Sequence, residues 1–191
     1  MRPHQRVVVA GGIGSGKSTV ISALSELGWS VINADQVGHE VLMDPDVIEA
    51  VAARWPQAVS GGAVNRSALA EVVFADPGEL AALEGMTHPR IVGRIERWVE
   101  TSVEPLAVEI SVLKVAEPRW GPLVIVSAPE SVRRERALER GMAAADVEAR
   151  MASQPSDSEL LAAADIVIDN QGTVEDLVQS VRRFDQWARA R

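Results

Sequence analysis

Gly11-Gly-Ile-Gly-Ser-Gly-Lys-Ser18 is the stretch on which the fold of this chain turns. It fits the pattern G-x-x-x-x-G-K-[ST], and its setting is the one that pattern requires. Upstream, Val7-Val-Val-Ala10 is short, β-branched and wholly apolar, as in a strand buried on both faces. Downstream, Ser18 to Leu27 carries Val20, Leu24 and Leu27 at helical spacing and stops at Gly28. Glycines let the loop backbone turn its N–H groups inward as a nest for anions, and the helix start adds partial positive charge. A lysine at position 17 reaches β- and γ-phosphate oxygens, and the Ser18 hydroxyl is placed to ligate Mg²⁺. Four fixed positions recur by chance in a chain this long about once in a hundred times. The bland alternative is a glycine-rich turn with no ligand.

Working outward, Trp29-Ser-Val-Ile32 reads as a second short strand ending at Asn33-Ala-Asp35. Residues 36 to about 102 are helical in pattern, with segments 37–43, 46–54, 67–74, 78–86 and 89–102 punctuated by Pro45, Pro56, Gly61-Gly62, Pro77 and Pro89. No strand pattern interrupts them. Leu106 to Ile110 and Leu123 to Val126 return to strand, Pro129 to Glu139 is a basic helix, and 141–153 reads as another helix. Ala164 to Asp169 is a last strand, and Thr173 caps a closing helix to about Ala188. This order implies an α/β fold, with a five-stranded parallel sheet covered by helices on both faces.

The composition agrees. The chain has 191 residues, 47% hydrophobic and 24% charged, enough for one globular domain with a small insertion. A net charge of −8 argues against nucleic acid or an acidic membrane as partner. There is no cysteine, hence no disulfide framework and no thiolate metal site. The apolar run after Arg6 is too short for a signal-peptide core, and no run approaches a membrane span, so the expected location is cytoplasmic. Only two of the basic residues are lysines, Lys17 and Lys114, a bias that GC-rich codons explain. Lys17 nevertheless stands where the loop needs a compact ammonium. The guanine signature N-K-x-D is absent, which turns the reading from GTPases toward small-molecule kinases.

Several side chains are candidates for the chemistry. Asp35 stands at the carboxyl end of the second strand, where ligands bind in parallel α/β sheets. A carboxylate there can take the proton of an attacking hydroxyl or hold a metal-bound water; it can equally cap the helix of residues 36–43. His39 lies four residues on, and His88-Pro89 opens a helix with proline at its first position; each histidine is a site residue or an ordinary polar one. Arg133, Arg136 and Arg140 share one helix face, with Arg150 beyond. They form a phosphate clamp or a solvated face paired with Glu135 and Glu139.

In this order the motifs resemble the dephospho-CoA kinase family nearly end to end. The loop through Thr19, Val31-Ile-Asn-Ala-Asp35 with His39, Arg66, Phe74-Ala-Asp-Pro77 and His88-Pro89 match its first half. Ser127-Ala-Pro-Glu130, Arg136, Arg140, Arg150 with Gln154, and Ala164 to Asn170 with Gly172 match its second. The resemblance implies an adenylate-kinase-like fold: a core (about 1–35, 103–139 and 156–191), a substrate-binding helical insert (about 36–102) and a short lid (about 140–155). It implies ATP on Gly11, Gly12, Ile13, Gly14, Ser15, Gly16, Lys17, Ser18 and Thr19, with Asn170 and Gly172 near the adenine and Mg²⁺ on Ser18. Dephospho-CoA would be held by His39, Arg66, His88 and Arg150; Asp35, Lys17 and Arg140 would act in catalysis, Asp35 as general base. Asn33 stands where the family has the first aspartate of D-A-D, and its P-L-L-x-E is replaced by Val108-Glu-Ile-Ser-Val-Leu-Lys114. Glu109 can supply that lost carboxylate from a shifted position. Arg140-Gly141 replaces an R-D, and Pro155 a small residue. Rival readings are another small-molecule kinase on the same fold, or a nucleotide-binding relative without catalysis. Nothing in the sequence fixes the oligomeric state.

Overall fold

A computed structural model describes residues 5–102 and 105–190. The expected core boundaries at residues 1–4, 103–104 and 191 lie outside the described residues. The chain divides into two compact units, one of Met1–Asn33 with Val99–Arg191 and one of Ala34–Trp98.

In the first unit, five strands form one sheet in the order β2-β5-β1-β6-β7, all pairs parallel: β1 (Arg6–Ala10), β2 (Ser30–Asn33), β5 (Leu106–Glu109), β6 (Leu123–Ser127) and β7 (Ile166–Asp169). The sequence-based expectation of five parallel strands matches this. The central strand β1 is apolar on both faces because both are covered, and Val7, Val8 and Val9 are buried. On one face, Val7, Val9, Ala107, Val124 and Val126 pack against α1 (Lys17–Glu26) and α9 (Val174–Ala190). Trp29 closes that layer; its indole N–H donates to the buried Asp185 carboxylate at 2.7 Å. Strand β1 therefore ends at the carboxyl edge of the sheet, where the glycine loop begins.

Three helices follow β6 or precede β7: α6 (Glu130–Glu139), α7 (Ala144–Ser153) and α8 (Asp157–Ala163). The sequence reading has no element at α8. Its start is a capping box, with Ser156 Oγ accepting from the Glu159 N–H and Glu159 accepting from the Ser156 N–H. Thr173 and Asp176 make the same reciprocal bonds at the start of α9, as expected of Thr173.

The second unit contains α2 (Ala34–Val41), α3 (Pro45–Arg54), α4 (Arg66–Ala75) and most of α5 (Pro77–Thr101), with a small antiparallel hairpin of β3 (Val59–Ser60) and β4 (Ala63–Val64). The hairpin corrects the expectation of an all-helical insert: Gly61 and Gly62, read as a break, supply the two left-handed residues of its turn. A second correction concerns His88-Pro89. Proline does not open a helix there; α5 runs through it for 25 residues. Pro89 has no N–H to give the Gly85 carbonyl, and Gly85 lies on the exposed side, where the loss costs little because solvent has access to it. Asp35 is not a cap either, because α2 already begins at Ala34 and Asp35 lies in its first turn.

Candidate functional site

The loop between β1 and α1 is built from glycine because its neighbours leave no room for anything else. Gly14 has φ +73°, and a Cβ there would stand 2.1 Å from the Arg133 carbonyl oxygen. Gly16, at φ +95°, ends the loop as the residue before α1; a Cβ on it would stand 2.2 Å from Asn170 Nδ2. Both positions combine left-handed backbone with a close approach, a pairing only glycine meets.

Three side chains from distant parts of the sequence hold this backbone. Asn170, 5% exposed, donates from Nδ2 to the Ser15 carbonyl at 2.7 Å. Its own N–H donates to Ser127 O at 2.7 Å, which fixes it to the end of β6. Gln154, the residue after α7, accepts the Ile13 N–H on Oε1 at 2.8 Å. Arg133 is buried and donates to Ala128 O at 3.1 Å and Ile13 O at 3.5 Å, while its ion pair with Asp157 closes to 2.6 Å. A loop with this much support is formed before any ligand arrives, which is the condition for strong anion recognition at low ordering cost.

The arginines expected on one face divide between two tasks. Arg133 braces the loop from inside, as its place beside Ala137 on the buried stripe of α6 dictates. Arg136 donates to Asn170 O at 3.3 Å, securing the same strut. Arg140 and Arg150 are exposed, at the end of α6 and in the last turn of α7, and meet no carboxylate among the described residues. The Lys17 ammonium likewise has no partner among the described residues, and Ser18 is exposed in the first turn of α1. Gly172 lies in the exposed turn between β7 and α9.

In the second unit, Arg66 and His39 meet, Nη2 to Nε2, at 2.5 Å. A guanidinium has no lone pair to offer, so Nε2 accepts and the His39 proton sits on Nδ1. His88 is half-buried within α5. Asp35 is exposed.

The brace residues Arg133, Asp157 and Gln154 were not marked as loop supports by sequence reasoning. An arginine repeating with Ala137 on the buried face of an otherwise polar helix was the available signal for the first. Gln154 was marked only as part of the resemblance and Asp157 not at all, since their partners lie more than a hundred residues away or on another helix.

A parallel sheet in this strand order, with a glycine loop feeding α1 and an unpartnered lysine at its start, defines a P-loop nucleotide-binding protein of the kinase type. The family model described as dephospho-CoA kinase matches residues 6–176. The dephospho-CoA kinase of Deinococcus radiodurans is 37% identical over 185 residues, covering 91% of this chain and 87% of the relative. The crystal structure of TT1252 from Thermus thermophilus superposes with a TM-score of 0.83 at 32% identity, covering 95% of this chain and 96% of that one. Dephospho-CoA kinase from Campylobacter jejuni shares the fold, with a TM-score of 0.73 at 24% identity over 95% of this chain and 96% of that one. The chain belongs to the dephospho-CoA kinase family.

Proposed function

We propose that this chain transfers the γ-phosphoryl group of ATP to the ribose 3′-hydroxyl of dephospho-CoA, giving coenzyme A and ADP. The observation that carries the reading is the preformed loop with Lys17 left unpartnered at its mouth, in a member of this family. The inward-facing amides and the Lys17 ammonium hold the β- and γ-phosphates, and the turn at Asn170 and Gly172 receives the adenine through its main chain. The Asn170 side chain already belongs to Ser15. Arg140 and Arg150, both in the lid segment, offset the charge on the transferring group. His39, Arg66 and His88 bind the acceptor.

Asp35 accepts the proton as the 3′-oxygen forms its bond to phosphorus and the bond to the ADP oxygen breaks. The protein's contribution is mainly position and charge, since this transfer asks little covalent chemistry of the enzyme.

The residues present fit Mg²⁺. An exposed hydroxyl follows the lysine, and no cluster of three His, Cys, Asp or Glu is found among the described residues. Mg²⁺ is characteristically bound by one or two protein groups with phosphates and water making up the rest. Ser18 would hold it, and when bound it neutralises charge on the β- and γ-oxygens. No helix of the described residues is long and apolar enough to cross a membrane.

The test is an assay with ATP, Mg²⁺ and dephospho-CoA, following ADP and coenzyme A. Turnover of dephospho-CoA far above that of shikimate, gluconate or nucleosides is the expected result. Turnover of a different acceptor, or tight ATP binding with no transfer to any, overturns it.

A further inference from the structure

Strand β7 closes one side of the sheet, and its outer edge pairs with no strand among the described residues. Along a strand, alternate residues turn their N–H and C=O toward the same neighbour. The Asp165 N–H donates to Leu123 O at 2.9 Å, on the β6 side, and β7 pairs with β6 from Ile166 onward. The main-chain groups of Ile166 and Ile168 therefore face outward, two donors and two acceptors on an open edge. Natural edges are blunted by proline, bulges or inserted charge. Ile166-Val-Ile168 has none of these within it, only Asp165 and Asp169 on its flanks, and Val167 is 47% exposed.

A cleft of about 370 Å³ runs along this edge, walled on its other side by Ser180, Arg183, Phe184 and Trp187 of α9. Side chains alternate across a sheet, so Ile166 and Ile168 turn to α9 while Val167 and Asp169 turn away, Asp169 accepting from Gln171 Nε2 at 3.0 Å. Ile168 and Phe184 are buried; Ile166 and Trp187 pack on them and are half-buried. The rings of Phe184 and Trp187 stand 6.0 Å apart, an apolar wall that reaches the surface. Arg183 supplies the charge. Its Nη2 donates to Ser180 Oγ at 2.8 Å, which holds the guanidinium along the wall, and it faces no carboxylate at ion-pair distance among the described residues.

We propose that this cleft is a peptide-docking groove, in which an extended segment of another protein joins the sheet as a sixth strand beside β7. Main-chain bonds to Ile166 and Ile168 give the pairing, and side chains at alternate positions give the choice. Two residues apart on the α9 face, the segment carries an apolar side chain for Phe184 and Trp187 and a carboxylate for Arg183. The charge decides against a second copy of this chain. A two-fold contact through the edge brings the same patch of each copy together, so Arg183 would meet its own kind instead of an acid. The inference concerns a site apart from the phosphate loop and does not depend on the acceptor of the phosphoryl group.

The probe is a blocked hexapeptide with leucine and glutamate two positions apart, titrated into the isotope-labelled full chain and followed by amide NMR. Saturable shifts are expected along β7 and the 180–187 stretch of α9, with the Ile166 and Ile168 amide protons exchanging more slowly in the complex. A peptide N-methylated at leucine, glutamate and the residue between them cannot form the ladder and should bind at least about tenfold more weakly. Lysine in place of the glutamate should cost about fivefold, the upper reach of an exposed ion pair, and Arg183→Glu should reverse that preference while the spectrum shows the fold retained. Absence of saturable binding, equal binding of the N-methylated peptide, or unprotected Ile166 and Ile168 amides at saturation overturns the proposal. So does 4-methylpentanoate giving the same shifts, which would make the cleft a site for a small carboxylate. Protection that rises with protein concentration in the absence of peptide would give the edge to a second copy and overturn it as well.

Discussion

Asn170 offers the sharpest test of the site, because its side chain is held away from any ligand. Its Nδ2 donates to the Ser15 carbonyl in a buried bond of 2.7 Å. Truncation to alanine leaves that carbonyl without its donor, at a cost of about 1–3 kcal/mol. The vacated space at a residue only 5% exposed adds about 1 kcal/mol. Together these lower the melting temperature of the nucleotide-free protein by roughly 4–16 °C, at about 2–4 °C per kcal/mol for a chain of this size. Where the loss is confined to the loop, the binding-competent fraction falls, and ATP affinity weakens by about 5- to 150-fold for the hydrogen-bond part alone. Asn170→Asp keeps the volume but replaces the donor with an acceptor facing a carbonyl, so it should do no better. Calorimetric unfolding without nucleotide, then ATP and GTP titrations, reads all of this. A melting temperature within about 2 °C of the parent, joined to a changed preference between adenine and guanine, would show that Asn170 reads the base and that the strut is unimportant.

Three further outcomes follow from the same structure. Asp35→Asn should lower kcat at least about a hundredfold while ATP affinity, measured by fluorescence titration, stays near its parent value, since a general base contributes to transfer and not to triphosphate binding. Lys17→Met should lower kcat/KM at least about a hundredfold, and Lys17→Arg should rescue it poorly because a planar fork does not replace a compact ammonium in the nest. Glu79 is held below its ordinary carboxyl value of 4.5 by the paired Arg54 guanidinium and then by the Trp55 indole N–H. A depressed carboxyl pKa stabilises the fold above the unfolded value, and the gain disappears as pH falls through the lower, folded value. Glu79→Gln should therefore melt lower than the parent at pH 7, with the gap closing under acid conditions below about pH 4.5; a gap independent of pH would remove the charge from the explanation.

What the sequence disclosed, and what it hid, follows from how each feature is encoded. Strand β1, the loop and α1 were legible because a buried strand, a glycine nest and a helical apolar stripe each write a local pattern. The remaining parallel strands were legible as apolar runs. Strands of two residues have no period, so the hairpin of Val59–Ser60 and Ala63–Val64 was invisible, and Pro89 wrote a break that the exposed carbonyl of Gly85 makes unnecessary. Helix α8 was absent from the sequence reading; its one local signal is Ser156 and Glu159 at capping-box spacing, because seven residues are too few to carry an apolar stripe. At the site, the loop residues were named from the motif, while their supports were not. Asn170 was expected beside the adenine; that its side chain also holds Ser15 was not legible, because a bond spanning 155 positions depends on how β7 docks against β6 and not on any nearby residue.

The overall charge of −8 raises the question of how so acidic a chain attracts a triphosphate. The distribution of partners answers it. Arg54, Arg90, Arg94, Arg133, Arg134 and Arg189 each face a carboxylate, which cancels their field at short range. Lys17, Arg140 and Arg150 have no such partner among the described residues. Lack of a partner is not enough by itself, because Arg182 on α9 is equally unpaired and simply solvated. The difference lies in backbone. Lys17 follows the glycine nest, and Arg140 and Arg150 lie in the lid segment, in which Gln154 is bonded to Ile13 of that nest. Cations left uncompensated where main-chain N–H groups converge make a local positive potential that the distant acids, beyond about 10 Å in ordinary salt, do little to weaken. Removing the acids from the far surface should thus change solubility more than nucleotide affinity, whereas adding one carboxylate beside the loop, as in Ser18→Asp, should abolish binding of ATP in EDTA as well as in Mg²⁺.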